Sequence, residues 1–201
     1  MEDYYRSLSG DSEGSYREKG SKFFAYAHPV SSEAEVQGHL SVLKKVHHSA
    51  RHYCYAFILK PKEGQEEPYR SSDDGEPSHS AGDPILGQIR SHQLLDTLVV
   101  VVRYFGGTKL GVAGLIHAYK TAAADALTNS SIVEKYIEQT ITIEFDYTAT
   151  NDVMKVIDQY SLAIVDQSFA ETCSYQLSVR LSNYEPALAG FSALEDVRIK
   201  H

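Results

Sequence analysis

Cysteine is scarce in this chain of 201 residues: only Cys54 and Cys173 occur, far apart in the sequence and without a Cys-x-x-Cys pair. Disulfide bonds belong to oxidising compartments and to chains with more cysteines at closer spacings. The cysteine content therefore predicts a reduced, cytoplasmic protein whose two thiols are buried.

Long hydrophobic runs are also missing. No apolar segment approaches the roughly 18 residues that a membrane helix needs, and Met1–Arg6 has neither the basic nor the apolar region of a signal peptide. Hydrophobic residues make up 42% of the chain and charged residues 23%, which is ordinary for a soluble globular protein. We expect no membrane partner, and one large or two small domains with a proper core.

Charge is distributed unevenly along the chain, whose formal net charge is −8. Residues 1–131 carry 14 basic and 16 acidic side chains, whereas residues 132–201 carry 5 basic and 11 acidic ones. Nucleic-acid binding relies on clustered Lys and Arg. The final third is therefore too acidic for nucleic acid, and any contact with a polyanion is expected in the first part.

Hydrophobic periodicity separates the same two regions. Up to about residue 129 it predicts the order ββα-β-loop-α-β-α. Beyond Ser130 it predicts β-α-β-β-α-β, a ferredoxin-like unit. The expected fold class is α+β, with domains at residues 1–131 and 132–201. The irregular segment from Pro61 to Gly82 has the length of a functional or disordered loop.

A glycine-rich loop follows the most hydrophobic strand of the chain, Thr97–Val102. The candidate binding residues in and before this loop are Arg103, Gly106, Gly107, Thr108, Lys109, Gly111 and Gly114. Glycine lets the backbone approach another molecule, and the helix that follows offers free N–H donors. The loop predicts an anion site, although its spacing matches neither a Walker A loop nor a dinucleotide fingerprint. Alternatively, the glycines only allow a tight strand-to-helix turn.

The long irregular segment concentrates a second set of polar side chains. It contains Asp73, Asp74, Glu76, Ser78 and His79. Three carboxylates this close together could hold a hard cation such as magnesium or calcium. Asp-Gly and Glu-Pro are also turn-forming pairs, and Asp and Ser side chains cap nearby backbone groups. Capping is the preferred interpretation.

His52 and Cys54 lie two positions apart on a predicted strand, so both face the same side. A nucleophilic Cys–His pair is one interpretation. Membership of one packed face is the preferred one, because cysteine is among the most buried residue types. A metal site that includes His47 and His48 has no recognised spacing. No complete catalytic set, metal site or cofactor site is predicted.

Five segments taken together resemble the YigZ/Impact family. They are Gly20-Ser-Lys-Phe-Phe, His52-Tyr-Cys-Tyr-Ala, Ser72-Asp-Asp-Gly-Glu-Pro-Ser, Ala81-Gly-Asp-Pro-Ile-Leu and Val102-Arg-Tyr-Phe-Gly-Gly-Thr-Lys-Leu-Gly. The similarity covers residues from about 15 to 128 in order, and the joint occurrence of the five segments is highly specific. The acidic final third resembles the small ferredoxin-like domain that bacterial members append, which is itself similar to a domain of translation elongation factor G.

The resemblance implies a first domain with the ribosomal-protein-S5-domain-2-like fold. It also implies a connection with translation, because eukaryotic relatives regulate translation through a protein partner that works with the ribosome. Bacterial members have no firmly assigned reaction, and nucleic-acid or ribosome association is the usual suggestion for them. Some relatives are called peptidases, but nothing in this sequence supplies a peptidase site.

The chain departs from the family pattern at two points. His79-Ser80 stands where the family tends to have Gly-Thr, and Ala113 stands where a second glycine tends to precede Gly114. A histidine in place of glycine would obstruct a ligand that lies along the backbone, or would add a titratable contact. The alanine is a small change.

Three functional hypotheses remain open. The leading one is a cytoplasmic, translation-associated binding protein whose first domain contacts RNA, the ribosome or a ribosome-bound partner. The alternative is an enzyme for a small phosphorylated or anionic substrate, held by Gly106–Gly114 while Asp73–Glu76 bind a cation or act as base. The third is a protein-interaction domain whose motif residues only stabilise unusual turns. Convergence of both loops on one concave surface would favour a ligand site.

Overall fold

The structure is a computed structural model that describes residues 3–61 and 64–200. Contacts between Cα atoms group Arg6–Glu134 into one compact unit. The described parts of Met1–Tyr5 and Lys135–His201 form the other unit.

The described residues form strands and helices that alternate along the chain. In order they are β1 (Tyr4–Leu8), β2 (Ser12–Glu18), β3 (Ser21–Pro29), α1 (Glu33–Val46), β4 (His52–Ile58), β5 (Tyr69–Ser72), α2 (Gly82–Ser91), β6 (Thr97–Tyr104), α3 (Gly111–Thr128), β7 (Ile132–Tyr136), β8 (Glu138–Phe145), α4 (Thr150–Tyr160), β9 (Ala163–Phe169), β10 (Cys173–Arg180), α5 (Leu181–Ser192) and β11 (Val197–Lys200).

The larger unit is built on a five-stranded sheet in the order β2-β3-β6-β4-β5. β6 is the central strand and pairs antiparallel with both β3 and β4. The helices α2 and α3 cover one face of the sheet, and α1 packs against the other. The sheet therefore has a hydrophobic core on each side.

The two cores explain the uninterrupted apolar run in β6. Val99 and Val101 pack into the core under α2 and α3, whereas Leu98 and Val100 pack into the core under α1. A strand that is covered on both faces buries every side chain, whichever way it points. The strand thus carries no polar alternation until it approaches the glycine loop.

The smaller unit contains a four-stranded antiparallel sheet in the order β11-β8-β10-β9. The chain runs β8-α4-β9-β10-α5-β11 through it, which is the predicted βαββαβ order with the strand arrangement of a ferredoxin-like unit. Residues of both helices pack with the sheet in one core. The α+β fold class predicted from the sequence is confirmed.

Three strands were missed by the sequence pattern. β1 and β7 pair with each other in a two-stranded sheet, and β5 lies within the segment that was read as irregular. β5 is an edge strand of four residues, Tyr-Arg-Ser-Ser, with no buried side chain. It is held by backbone pairing to β4 and leaves no hydrophobic signal. Lys62 and Glu63 of the same segment lie outside the described residues.

Candidate binding site

The loop between β6 and α3 owes its conformation to two glycines. Gly107 has a φ of +88° and Gly111 a φ of +72°. Side chains are disfavoured in this left-handed region, whereas glycine adopts it freely. The chain can therefore reverse direction directly after the strand and enter α3 at Gly111.

Gly106 is needed for a different reason, which is space. A Cβ atom at this position would overlap the backbone of Gly20 and Ser21, where the chain turns from β2 into β3. The Gly106 N–H donates a hydrogen bond to Oγ of Ser21 at 3.1 Å. The Gly20-Ser and Gly106-Gly segments, distant in sequence, are thus the two sides of one backbone contact.

The carboxylates of Asp73 and Asp74 are occupied by the protein's own backbone. Asp73 accepts hydrogen bonds of 2.8–2.9 Å from the N–H groups of His79, Ala81 and Gly82. Asp74 accepts one of 2.7 Å from the N–H of Tyr53. These contacts match the capping interpretation, and they leave the two side chains poorly placed to hold a cation.

Glu76 forms a buried ion pair with Arg103. Oε1 of Glu76 accepts hydrogen bonds from Nη1 of Arg103 at 2.5 Å and from the hydroxyl of Tyr119 at 2.8 Å. The Arg103 guanidinium also lies 5.5 Å from the ring centre of Phe23 and 5.6 Å from that of Phe105. Arg103 was predicted to bind an anionic ligand, but its charge is already balanced inside the protein.

Cys54 and His52 do not form a nucleophilic pair. The Cys54 thiol donates to the carbonyl oxygen of Asp73 at 3.0 Å, and Nδ1 of His52 lies 2.9 Å from the carbonyl oxygen of Asp74. Burial raises the pKa of the Cys54 thiol, so the reactive thiolate is disfavoured. Both residues hold the backbone of the loop that carries Asp73, Asp74 and Glu76, which we call the carboxylate loop.

A cavity of about 390 Å³ lies where the two loops meet, and we call it the loop cavity. It is lined by Glu76, Pro77, Arg103, Phe105, Lys109, Leu110, Gly111, Val112 and Leu115. Four predicted site residues are among them: Glu76, Arg103, Lys109 and Gly111. The other eight, Asp73, Asp74, Ser78, His79, Gly106, Gly107, Thr108 and Gly114, are not part of its lining. The loops converge, as a ligand site requires, but mainly apolar side chains meet there.

An exposed cation and a helix N-terminus adjoin the loop cavity. Lys109 is exposed and makes no ion pair within the described part of the chain. The adjoining N-terminus of α3 has no side-chain cap and no acidic residue in its first turn. Free N–H groups at a helix N-terminus favour a negative group. The cavity can therefore accept an apolar group with an acidic neighbour.

Comparison with known proteins identifies the family. The Impact N-terminal domain matches residues 19–127. The chain belongs to the Impact family. It is 31% identical to the IMPACT family member YvyE of Bacillus subtilis, over 79% of this chain and 72% of that protein. It is 33% identical to an IMPACT family member of Haemophilus influenzae, over 75% of this chain and 73% of that protein.

One solved structure resembles this chain over nearly its whole length. A crystal structure of a hypothetical protein covers 99% of this chain and 97% of its own, with a TM-score of 0.74 at 23% identity. That likeness concerns the fold, including the ferredoxin-like second half, and carries no function.

His79, the main departure from the Impact family pattern, occupies a position suited to glycine. Its φ is +64°, in the left-handed region. The imidazole is exposed, and Nδ1 lies 2.6 Å from Oδ2 of Asp83. That hydrogen bond and the Asp83 charge raise the pKa of His79. The side chain is therefore directed at a neighbour on the surface and does not line the loop cavity.

Two further findings on the described residues concern metal-binding clusters and membrane-spanning helices. Across residues 3–61 and 64–200, no three His, Cys, Asp or Glu side chains form a group that could hold a metal ion. No helix of the same residues is long and apolar enough to cross a membrane.

Sequence reasoning missed the apolar lining of the loop cavity. Phe105 is 56% exposed and Val112 is 53% exposed, and neither was among the predicted site residues. Single apolar residues beside glycines give no periodic signal, so their exposure could not be read from the pattern. Exposed apolar side chains around a concavity are typical of binding sites.

Proposed function

We propose that this chain is a translation-associated binding protein that acts in the cytoplasm. Its larger unit would contact RNA, the ribosome or a ribosome-bound protein. Membership of the Impact family supports the connection with translation, since eukaryotic members of that family regulate translation through a protein partner. The carboxylates of Asp73, Asp74 and Glu76 are already bound by groups of the protein itself, and this supports a binding role over a catalytic one.

The observation that carries this proposal is the loop cavity. Its walls are mainly apolar, its carboxylate is neutralised by Arg103, and Lys109 supplies one exposed positive charge. A polyanion needs several cations, whereas an apolar protein segment with an acidic neighbour needs an apolar pocket and one cation. We therefore assign the loop cavity to a segment of a ribosomal or ribosome-bound protein.

Co-sedimentation with ribosomes tests this proposal. The purified chain is added to an active translation extract and its distribution over a sucrose gradient is measured. Val112→Asp places a charge in the cavity wall, and an acidic residue in the first turn of a helix does not weaken the helix itself. We expect the unmodified chain in the ribosomal fractions and the Val112→Asp variant at the top of the gradient.

A matched control is available on α1. Val42 is 58% exposed and lies outside the loop cavity, while Val112 is 53% exposed. Val42→Asp therefore introduces the same charge at a similar exposure, and this variant should stay with the ribosomes. Equal behaviour of the two variants, or no association of the unmodified chain, would contradict the proposal.

A second candidate function, an enzyme for a small anionic substrate, is favoured by one observation. The uncapped N-terminus of α3 and Lys109 offer an anion a place to bind. Against this candidate, the carboxylates expected to act as base or cation ligands are occupied by backbone N–H groups and by Arg103. Thermal-shift screening with nucleotides and sugar phosphates, with and without magnesium, tests it. Stabilisation that is lost in Lys109→Ala would favour the enzyme.

A further inference from the structure

A second surface lies on the opposite face of the five-stranded sheet, the face against which α1 packs. Near the start of β3 this face is open: Lys22 is exposed, and Phe24 and Tyr104 are only half-buried. Strand pairing places Arg17 opposite Lys22, and Lys22 opposite Tyr104. Neighbouring strands lie about 4.8 Å apart, so these three residues form one row across β2, β3 and β6.

The side chains of this row point away from the loop cavity. Tyr16 and Arg103, the sequence neighbours of Arg17 and Tyr104, contact Phe23 in the core under α2 and α3. Successive side chains of a strand point to opposite faces. Arg17, Lys22 and Tyr104 therefore share the α1 face.

Two aromatic rings on this face are held in fixed orientations. The rings of Phe24 and Tyr104 meet edge to face, with centres 5.9 Å apart. The Tyr104 hydroxyl lies 2.9 Å from Nδ1 of His47, and the Tyr26 hydroxyl lies 2.7 Å from Nε2 of the same ring. Binding to rings that are already ordered costs little conformational entropy.

A groove continues the row at the start of β4. It has a volume of about 230 Å³ and is lined by Ser49, Arg51, Arg103, Tyr104 and Phe105. Arg103 is paired with Glu76, so Arg51 is the cation that this groove offers to a ligand. Arg51 is exposed. We call Arg17, Lys22, Phe24, Arg51 and Tyr104 the sheet platform.

The cations of the sheet platform are not held in ion pairs. Within the described part of the chain, Arg17, Lys22 and Arg51 make no ion pair. The platform itself contains no carboxylate, and Glu13 of β2 lies further along the sheet, opposite Tyr26. Three cations around two ordered rings complement a chain that alternates phosphates with flat bases.

We propose that the sheet platform binds single-stranded RNA. Bases stack on the exposed surfaces of Tyr104 and Phe24, while Arg17, Lys22 and Arg51 contact the phosphates. The choice of RNA over DNA rests on the proposed function in translation. None of the five platform residues lines the loop cavity, but the groove beside Arg51 shares Arg103 and Phe105 with it. RNA and a protein segment would therefore bind at adjacent sites.

Fluorescence anisotropy with labelled oligouridylate and oligoadenylate tests this proposal on the full chain without ribosomes. The Lys22→Ser, Arg51→Ser double variant removes two exposed cations from the platform. Each phosphate contact to a single strand contributes about 0.7 to the slope of log affinity against log salt. We expect the slope to fall by about 1.4 and affinity to fall about 25-fold near 0.1 M salt.

The matched control is the Lys120→Ser, Arg198→Ser double variant, which removes two exposed cations outside the platform that likewise make no ion pair within the described residues. It should keep most of the affinity. Tyr104→Leu should weaken binding about tenfold through lost stacking. Equal losses in the two double variants, or no RNA binding by the unmodified chain, would overturn the proposal, and equal affinity for single-stranded DNA would overturn the choice of RNA.

A variant in the loop cavity distinguishes RNA binding from ribosome association. Val112→Asp should leave RNA affinity unchanged, whatever it does to co-sedimentation with ribosomes. Loss of ribosome association with intact RNA binding locates a defect in the cavity. The reverse result locates it in the sheet platform.

Discussion

Arg103 and Glu76 form a buried ion pair whose Nη1–Oε1 distance is 2.5 Å, with side chains 7% and 5% exposed. Arg103 ends the buried run of β6, and Glu76 belongs to the carboxylate loop. The pair therefore ties together the two segments from which sequence reasoning predicted a ligand site. It also limits that site, because each charge is satisfied by the other rather than by a ligand.

Removal of Glu76 should destabilise the protein strongly. In Glu76→Ala the Arg103 guanidinium stays buried without its counter-ion, which typically costs about 3–5 kcal/mol. Urea denaturation measures the free energy of unfolding. The control is Glu67→Ala, which removes the partner of exposed Arg90 at 3.9 Å and should cost less than about 1 kcal/mol.

A double variant distinguishes the effect of the two charges from the effect of the volume that the two side chains fill. Glu76→Leu combined with Arg103→Met replaces both charges by apolar side chains, and such replacements are often close to neutral. We expect it to be more stable than Glu76→Ala alone. If Glu76→Ala and Glu67→Ala cost the same, the pair is not buried in solution.

The sequence specified the fold more fully than the site. The run Thr97–Val102 predicted a buried strand, and the structure shows why: the strand is covered on both faces. The helix and strand order of residues 138–200 followed from periodicity alone and is that of a ferredoxin-like unit. These signals are strong because each depends on many residues.

The candidate site depends on single contacts that leave no periodic trace. Arg103 and Lys109 looked equivalent as cations beside a glycine loop, yet one is buried against Glu76 and the other is exposed. Only the three-dimensional position of Glu76, which is 27 residues from Arg103, distinguishes them. The row formed by Arg17, Lys22 and Tyr104 was likewise hidden, because strand register places it across three separate segments.

Asp73 should be essential for the conformation of the carboxylate loop. Its side chain accepts N–H groups from His79, Ala81 and Gly82, and Ala81 and Gly82 are buried. An unsatisfied buried donor costs about 1–3 kcal/mol, so Asp73→Ala should lower the free energy of unfolding by about 3 kcal/mol. Asp152→Ala, at an exposed position, is the control for loss of an Asp. A change below about 1 kcal/mol in Asp73→Ala would contradict the capping role.

The exposed His79–Asp83 pair should shift the pKa values of its two members in opposite directions. The hydrogen bond and charge of Asp83 raise the pKa of His79 above 6.5. The stability that this shift contributes is complete below pH 6.5 and is lost as the pH rises through the folded-state pKa. For Asp83, whose pKa is lowered below 3.8 by His79 and Ser71, the contribution is present above pH 3.8 and is lost as the pH falls through the folded-state pKa.

Proton NMR titration of the imidazoles measures this shift directly. In Asp83→Asn the pKa of His79 should return towards 6.5. His47 is the internal control, since burial lowers its pKa and Asp83 takes no part in that shift. A His79 pKa that is unaffected by Asp83→Asn would show that the pair does not form in solution.

Two glycines test whether the backbone contact behind the glycine loop exists. In Gly106→Ala the new Cβ would overlap the backbone of Gly20 and Ser21, which cannot yield as a side chain can. Gly38 lies within α1 and has open space around its Cβ position. Overpacking costs about 1–3 kcal/mol or more, whereas alanine in place of a helical glycine stabilises by up to about 1 kcal/mol.

Urea denaturation of Gly106→Ala and Gly38→Ala should therefore give changes of opposite sign. Both substitutions restrict the unfolded chain in the same way, so the difference between them reports on the folded state. A difference of about 3 kcal/mol or more places Gly106 against Gly20 as the structure has it. If Gly106→Ala is instead as stable as Gly38→Ala, the loop does not pack on the turn before β3.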